Sequence, residues 1–343
     1  MEQRESFSSS LYRGDMNILN KQNNMLLAQN GFSLLELMIS IPLGLLVMLA
    51  VLQTFTSGLD GVYLQNAYSR VQENGRMASE LMARDIRGAD YWGCAGDIDA
   101  ITSHLDSSDS DYNAALLPVG GAGVDGENDV TSQSIAAINV KDSTDTLTLR
   151  GSESLSGVKV STPYMVTTSA NIHITVGSSL EKGDVILVSD CQEADLFTNT
   201  IQNTATSGNI GHNTGSIQVD GAIDNATQIL SHTYSAGAQI LAPFAKIYFI
   251  GENASGSHSL YRSDNGTAQE LVRGINDLQL IYGEDTNDDG SVDTFANADS
   301  VSNMDDVLSI RISLVAESGE GSSGTALEKT YDVTGNIRNR TLQ

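Results

Sequence analysis

The chain has 343 residues, 40% of them hydrophobic, and is long enough to bury a core in one large domain or two small ones. Asp and Glu number 43 against 18 Lys and Arg, which gives a formal net charge of -25. A surface this acidic repels phosphate backbones, so we expect no nucleic-acid partner. The charge fits simple solubility, an extracellular setting or divalent cations.

The most apolar run of the chain, residues 32–55, follows a hydrophilic segment of residues 1–31. As a helix rising 1.5 Å per residue, the run would be about 36 Å long, enough to cross a hydrocarbon core of roughly 30 Å. It is too long and too uniformly apolar for a typical buried soluble helix. A secretory signal peptide would have a shorter apolar core, followed by a cleavage site of small residues. We predict a membrane-spanning helix over residues 32–55.

Helical periodicity continues beyond the apolar run. Apolar residues recur mostly at three- and four-residue steps over residues 59–86, and polar residues, Arg84 and Asp85 among them, fill much of the opposite face. We therefore predict one helix from about residue 32 to residue 88. Its first part is apolar all round, and its continuation over residues 56–88 is amphipathic.

A short motif joins the hydrophilic segment to the apolar run. Its sequence is GFSLLELMIS, in which Gly31 precedes Phe32 and Glu36 follows after three further residues. The motif resembles the processing site of type IV prepilins and pseudopilins, whose hydrophilic leader ends at a glycine. This resemblance implies that a prepilin peptidase removes residues 1–31 and that the new amine of Phe32 is methylated.

Glu36 is a carboxylate within the predicted membrane helix, where an unpaired charge costs about 2.5–3.5 kcal/mol on insertion scales. It would be the fifth residue of the processed chain. The positive N-terminus of a neighbouring subunit, placed beside it, would neutralise two buried charges and fix the axial register of the two helices. We predict this charge pairing during assembly. A glutamate that extends to the lipid interface is the alternative.

Two cysteines, Cys94 and Cys191, lie too far apart in the sequence for a zinc-ligand pattern. In an oxidising compartment they would form one disulfide that closes a loop of about 100 residues, worth roughly 4.7 kcal/mol in the chain-entropy model. Two buried free thiols are the alternative, which a cytosolic location would favour. The periplasmic head implied by the prepilin resemblance favours the disulfide.

Residues 89–343 are dominated by strand patterns. Several apolar or alternating segments end in turn residues, among them DTLTLRG, GDVILVSD, AKIYFIGE and DDVLSIRISLVAES. Strands in sequence with short connections imply antiparallel pairing. We predict an α+β fold, in which the long N-terminal helix packs on a mainly antiparallel, globular β head.

Two further segments resemble PilW-type minor pilins, which are related to the J-type minor pseudopilins of type II secretion. One is IRGADYWGC, after the helix, and the other runs from ELVRGINDLQLIYGED through an Asp-rich loop to VLSIRISLVAES. The resemblance covers the first third and the last quarter of the chain. Residues 100–240 carry no such resemblance.

The Asp-rich loop has the spacing of a calcium-binding loop around a turn at Gly290. Its candidate ligands are Asp285, Asn287, Asp289, Ser291 through its carbonyl, and Asp293. Ala296 stands where an EF-hand would have a bidentate glutamate, and the flanking segments are not helical in pattern. We predict a candidate calcium site of a looser kind, with an acidic hairpin turn as the alternative.

Sequence motifs of an enzyme are not recognisable. The five histidines are scattered without metal-ligand spacing, and the chain has no G-x-S-x-G, H-E-x-x-H or Walker sequence. A G-x-G-x-x-G over residues 121–126 lacks the preceding strand and the following helix of a dinucleotide site. We predict no catalytic residues and no required cofactor, with calcium as the one candidate ligand.

The resemblance as a whole implies a minor pilin of the PilW kind. Such a subunit would first be a single-pass protein of the inner membrane with a periplasmic head. It would then join other minor pilins, the major pilin and a candidate tip adhesin at the pilus tip on the cell surface. Its expected work is to prime pilus assembly, and thereby adhesion and twitching motility.

Two alternatives remain open at this point. The first is a minor pseudopilin of a type II secretion system. The second belongs to another class, a membrane-tethered, calcium-dependent surface-binding protein whose activity resides in residues 100–240.

Overall fold

The structure is a computed structural model that describes residues 31, 33–95, 100–117, 123–215, 217–252, 256–320 and 326–340. Residues 1–30 of the predicted leader and Phe32 of the predicted processing site lie outside this described part. The chain divides into two compact units, of which the first ends at Gly58 and the second begins at Leu59.

Two α-helices lie in the described part, α1 over Leu34–Gly88 and the single turn α2 over Thr204–Ser207. The bounds of α1 confirm the long N-terminal helix. It is also the one described helix that is long and apolar enough to cross a membrane, with a mean hydropathy of 2.4 in its most apolar 18-residue window.

The strands of the head are mostly short in the first half of the chain and long in the second. The first nine are β1 Ile101–Ser103, β2 Val124–Glu127, β3 Ser134–Ile135, β4 Ile138–Asn139, β5 Thr146–Ser154, β6 Ile172–His173, β7 Val185–Ser189, β8 Ala194–Thr198 and β9 Asn209–Ile210. The remaining seven are β10 Gln239–Glu252, β11 His258–Asp264, β12 Thr267–Arg273, β13 Ile275–Glu284, β14 Thr294–Ala296, β15 Val307–Glu320 and β16 Ala326–Asn336.

These strands form two main sheets. The larger has eight strands, with the path β1-β8-β7-β10-β11-β12, and in addition β5 pairs with β10 and β2 pairs with β5. The smaller has four strands in the order β14-β13-β15-β16. Every pair in the two sheets is antiparallel except β1 with β8, which confirms the mainly antiparallel head.

The principal core lies where the amphipathic part of α1 packs on the head. Its helical members, Val71, Ala78, Met82 and Ile86, are fully buried and follow the predicted apolar stripe. They pack with side chains of both sheets, including Leu147, Tyr248, Leu278, Leu280, Ile310 and Ile312. Burying one such aliphatic or aromatic side chain contributes about 1.5–3 kcal/mol, so this stripe is a major source of stability for the head.

Gly75 is the point of closest approach between α1 and the smaller sheet. A Cβ at this position would lie only 2.2 Å from the Tyr331 ring of β16. A side chain is therefore excluded where the helix crosses the aromatic ring, although glycine lowers helix propensity.

We expect Gly75→Ala to lower the free energy of unfolding by about 1–3 kcal/mol, because the added methyl group displaces Tyr331. Gly61→Ala is the matched control, since Gly61 lies in the same helix with no atom within 4 Å of the added carbon. Gly61→Ala should instead gain up to about 1 kcal/mol of helix propensity. Denaturant unfolding of the two full-length variants in detergent measures the difference, and equal effects at both positions would contradict this account.

Candidate functional site

The N-terminal part of α1 presents an uncovered apolar surface. Its large side chains from Leu34 to Phe55 are exposed within the described residues, for instance Leu46 at 65%. Between residues 33 and 59 the chain carries a single charge, on Glu36. Apolar surface of this extent is stable only against lipid or against another apolar helix.

The predicted assembly residues lie at the start of this helix. Gly31 is exposed, and Glu36 is exposed in the first helical turn. The helix begins with a hydrogen bond of 3.1 Å, which the amide of Leu37 donates to the carbonyl of Ser33. An acidic residue in the first turn also interacts favourably with the positive end of the helix dipole. The described residues therefore place one carboxylate beside the predicted processing site.

Cys94 and Cys191 form a disulfide, with their Cα atoms 4.6 Å apart. This confirms the pairing that the sequence predicted. The bond connects the short turn at Gly93–Ala95, just after α1, to the loop between β7 and β8. The disulfide therefore anchors the end of the helix to the larger sheet. A bond of this kind persists in an oxidising compartment.

Asp85 connects α1 to the larger sheet through a charged cluster that sequence reasoning missed. Its Oδ2 accepts hydrogen bonds from the Tyr248 hydroxyl at 2.6 Å and from the Arg262 guanidinium at 3.1 Å. Lys246 Nζ lies 3.6 Å from the same oxygen. The Asp85 side chain is only 9% exposed, so its predicted place on the open polar face is wrong.

The sequence reading failed here because the partners of Asp85 are on β10 and β11, more than 160 positions away. The helical periodicity assigns Asp85, like Arg84, to the polar face of α1, but it does not show which residues of the sheet contact that face. Burial raises the pKa of Tyr248, and the adjacent Asp85 carboxylate adds to that effect, so the tyrosine stays protonated and donates its hydrogen bond.

We expect Asp85→Ala to lower the free energy of unfolding by about 1–3 kcal/mol, because it leaves buried donors of Tyr248 and Arg262 without their acceptor. Glu80→Ala is the matched control, since Glu80 lies on the same helix with a 71% exposed side chain in an ion pair with Arg76. That variant should change stability by less than about 0.5 kcal/mol. Chemical unfolding of the full chain measures both, and similar losses would show that Asp85 is not an anchor.

A second polar cluster is buried under the β1–β8 pair. His104 Nε2 lies 2.5 Å from Asp195 Oδ1, and Asp195 Oδ2 accepts hydrogen bonds from Tyr234 at 2.6 Å and Ser231 Oγ at 2.7 Å. Desolvation works against the charged form of Asp195. The hydrogen bonds from His104, Tyr234 and Ser231 outweigh it, so the pKa of Asp195 is lowered. The hydroxyl of Ser231 donates to the carboxylate at 2.7 Å and lies 3.5 Å from His232 Nδ1.

His212 lies near this cluster and is 1% exposed. Desolvation lowers its pKa, against the opposing effect of a 3.0 Å contact between its Nε2 and the Ala170 carbonyl. The unfolded chain therefore binds a proton near pH 6.5 that the folded chain binds only at lower pH. This linkage stabilises the fold above pH 6.5, and the stabilisation is lost as the pH falls below that value.

We expect His212→Gln to make stability less sensitive to pH below about 6.5, because glutamine has no proton to gain. The measurement is the free energy of unfolding in urea at several pH values between about 5 and 7.5. His258→Gln, at a half-buried histidine of β11, controls for the loss of a histidine as such. An identical pH dependence for both variants would contradict the role of His212.

The candidate calcium loop projects between β13 and β14. Asp285 accepts hydrogen bonds from the amides of Gly290 at 2.7 Å and of Asn287 and Asp289 at 3.3 Å, and Asp293 accepts from Thr286. Desolvation opposes the charged form of Asp285, but these amide donors lower its pKa.

Both carboxylate oxygens of Asp285 accept hydrogen bonds from amides of the loop itself. Each oxygen keeps a second lone pair, so these bonds do not exclude a cation. The part of the chain that the structure describes has no group of three or more His, Cys, Asp or Glu side chains placed to hold a metal ion. Calcium binding at Asp285, Asn287, Asp289, Ser291 and Asp293 stays a prediction.

A comparison with known families matches the C-terminal part of the chain. Residues 247–340 match the family model PilW, described as type IV pilus-assembly protein W. The matched segment starts within β10 and includes the whole four-stranded sheet, together with the acidic loop. No curated protein and no solved structure matches the chain.

This match confirms the resemblance to PilW-type pilus proteins and supports a PilW-like component of a type IV pilus. It also supports involvement of the chain in type IV pilus assembly. The apolar helix is consistent with a single-pass membrane anchor for such a component.

Proposed function

We propose that this chain is a minor pilin that primes type IV pilus assembly and occupies a tip complex with other minor pilins. The observation that carries the proposal is an uncovered apolar helix that begins at the prepilin-like motif, in a chain whose C-terminal sheet matches PilW. The apolar helix alone, or the PilW match alone, does not distinguish a pilus subunit from other membrane-anchored proteins. Their combination favours a subunit that assembles into a pilus through contacts of its apolar helix.

In this proposal, a prepilin peptidase cleaves after the exposed Gly31 and methylates the new amine of Phe32. Before assembly, residues 32–55 hold the subunit in the inner membrane, and the disulfide-bonded head lies in the periplasm. During assembly, the apolar surface of α1 leaves lipid for the helices of neighbouring minor and major pilins. Contacts between helices then replace contacts with lipid tails. Because both are apolar, this exchange hardly distinguishes one axial register of the helices from another, and an additional interaction must select the correct register.

Glu36 supplies that interaction. Its carboxylate belongs to the fifth residue of the processed chain, and one helical turn rises about 5.4 Å. A neighbour's amine that meets Glu36 is therefore fixed to within one turn along the filament axis. An unpaired carboxylate in lipid penalises every other register by about 2.5–3.5 kcal/mol. The head would then contact other tip subunits and a candidate adhesin.

We expect Glu36→Gln to reduce surface pili by more than about tenfold, because a loss of 1.4 kcal/mol at one contact already changes an equilibrium tenfold. Electron microscopy and immunoblots of sheared pili measure the reduction. Ser40→Ala is the matched control, since Ser40 lies in the same helix and its hydroxyl donates to the Leu37 carbonyl of its own turn. Both variants should reach the membrane at parental levels and be cleaved after Gly31, as mass spectrometry can show.

A strain without the gene provides the baseline for this experiment. Loss of pili with normal type II secretion agrees with the proposal, whereas a secretion defect with normal pili supports the pseudopilin alternative. Parental piliation in the Glu36→Gln strain would refute the charge-pairing step.

A further inference from the structure

A basic groove lies between the exposed flank of α1 and the edge strand β16. Its volume is about 770 Å³. Four basic residues and two acidic ones are among its lining, namely Arg76, Arg84, Arg87 and Lys329 with Glu80 and Asp332. The groove is thus net positive on a chain whose formal charge is -25.

The basic side chains of the groove are open to a ligand. Arg87 and Lys329 are exposed and have no carboxylate partner among the described residues. Lys329 instead lies 4.9 Å from the centre of the Tyr331 ring. Arg76 pairs at 3.7 Å with Glu80, and exposed pairs of this kind are worth less than about 1 kcal/mol. An anion could displace such a contact at little cost.

A second depression of about 510 Å³ continues the basic surface. It shares Arg84 and Arg87 with the groove and adds Lys246 and Arg338, together with the carboxylates Asp85 and Glu153, both of which pair with Lys246. The two depressions together form one basic surface along the last turns of α1. Clustered positive charge on an acidic protein focuses the field toward an anionic partner, whereas the rest of this acidic surface repels a second copy.

The acidic loop at the opposite edge of the same sheet has the complementary charge. The loop projects from β13 and β14, and Asp288, Asp289 and Asp293 are exposed on it. From Glu284 to Asp299 the sequence has six acidic residues and no basic one. The four-stranded sheet thus has an acidic edge at β14, and the basic groove, whose arginines come from α1, flanks its other edge at β16.

A single chain cannot bring its own loop into its own groove. The amide of Asp285 donates to the carbonyl of Asp306, so the loop starts beside the first residues of β15. Lys329 pairs with Ala316, near the other end of β15. The ten residues from Val307 to Ala316 extend over about 30 Å at 3.4 Å per residue. The complementary surfaces therefore point to two different molecules.

We propose that the basic groove binds the acidic loop of a second copy of this chain. Each copy then offers one groove and one loop, so the contact is head-to-tail and can repeat in one direction, as it would along a filament. The inference concerns the folded head and goes beyond the proposed pilus function. It holds or fails whether or not Glu36 pairs with a neighbouring N-terminus.

The test is sedimentation velocity of the full mature chain in a non-ionic detergent. At about 10 mM salt the Debye length is roughly 30 Å, so charge complementarity acts at full range. We expect concentration-dependent association that weakens as salt is raised. Arg87→Glu with Lys329→Glu, and Asp288→Asn with Asp289→Asn, should each raise the dissociation constant by at least about tenfold.

Two double variants serve as matched controls. Lys159→Glu with Lys182→Glu reverses two charges away from the groove, and Asp111→Asn with Asp220→Asn removes two exposed charges away from the loop. Both controls should associate as the parent does. Circular dichroism and an intact disulfide establish that every variant is folded.

Mixing the groove double variant with the loop double variant distinguishes a head-to-tail contact from other modes of self-association. The groove variant keeps a native loop, and the loop variant keeps a native groove, so an equimolar mixture should form heterodimers although neither variant self-associates. Association that neither double variant reduces would mean that the apolar helix drives it, and would overturn the proposal. So would a groove variant that loses binding to anionic phospholipid vesicles while the loop variant associates normally.

Discussion

Burial of one apolar stripe of α1 is the constraint on which the folded head depends. Val71, Ala78, Met82 and Ile86 pack at the junction of the two main sheets, so one helical face closes a core that neither sheet closes alone. Gly75 permits the close approach, and the Asp85 cluster fixes the helix with hydrogen bonds to the larger sheet. Apolar burial supplies most of the free energy that holds α1 on the head. Gly75 and the Asp85 cluster specify the orientation of the helix on the sheets.

The N-terminal residues of the same helix differ from this stripe, because their apolar side chains are not buried. Their apolar side chains are exposed around the whole circumference, and the single carboxylate at Glu36 has no partner within its own described segment. A fold that buries every apolar residue has no surface left for assembly in lipid. The division of α1 into a stripe that stabilises the head and an all-round apolar part therefore separates folding from assembly.

Much of this architecture could be predicted from the sequence, because helical and strand periodicities are local signals. The bounds of α1, the antiparallel head and the Cys94–Cys191 bond followed from periodicity, turn residues and redox compartment. The Asp85 cluster and the His104–Asp195 pair could not, since each depends on partners over 90 residues away. Polarity patterns show that a charge avoids an apolar stripe, but they do not show what a neighbouring strand brings against it.

The strand order of the smaller sheet explains how the charged residues of the chain are arranged in space. In the sequence, the basic residues of α1, Lys329 and the Asp-rich loop are separate features in an acidic chain. The order β14-β13-β15-β16 places the loop at one edge of a sheet and Lys329 at the other, with the arginines of α1 beside it. General negative charge suppresses unspecific contacts between copies, since like charges repel. Against that repulsion, a single basic groove makes one orientation of approach more favourable than the rest, which is the property that ordered assembly requires.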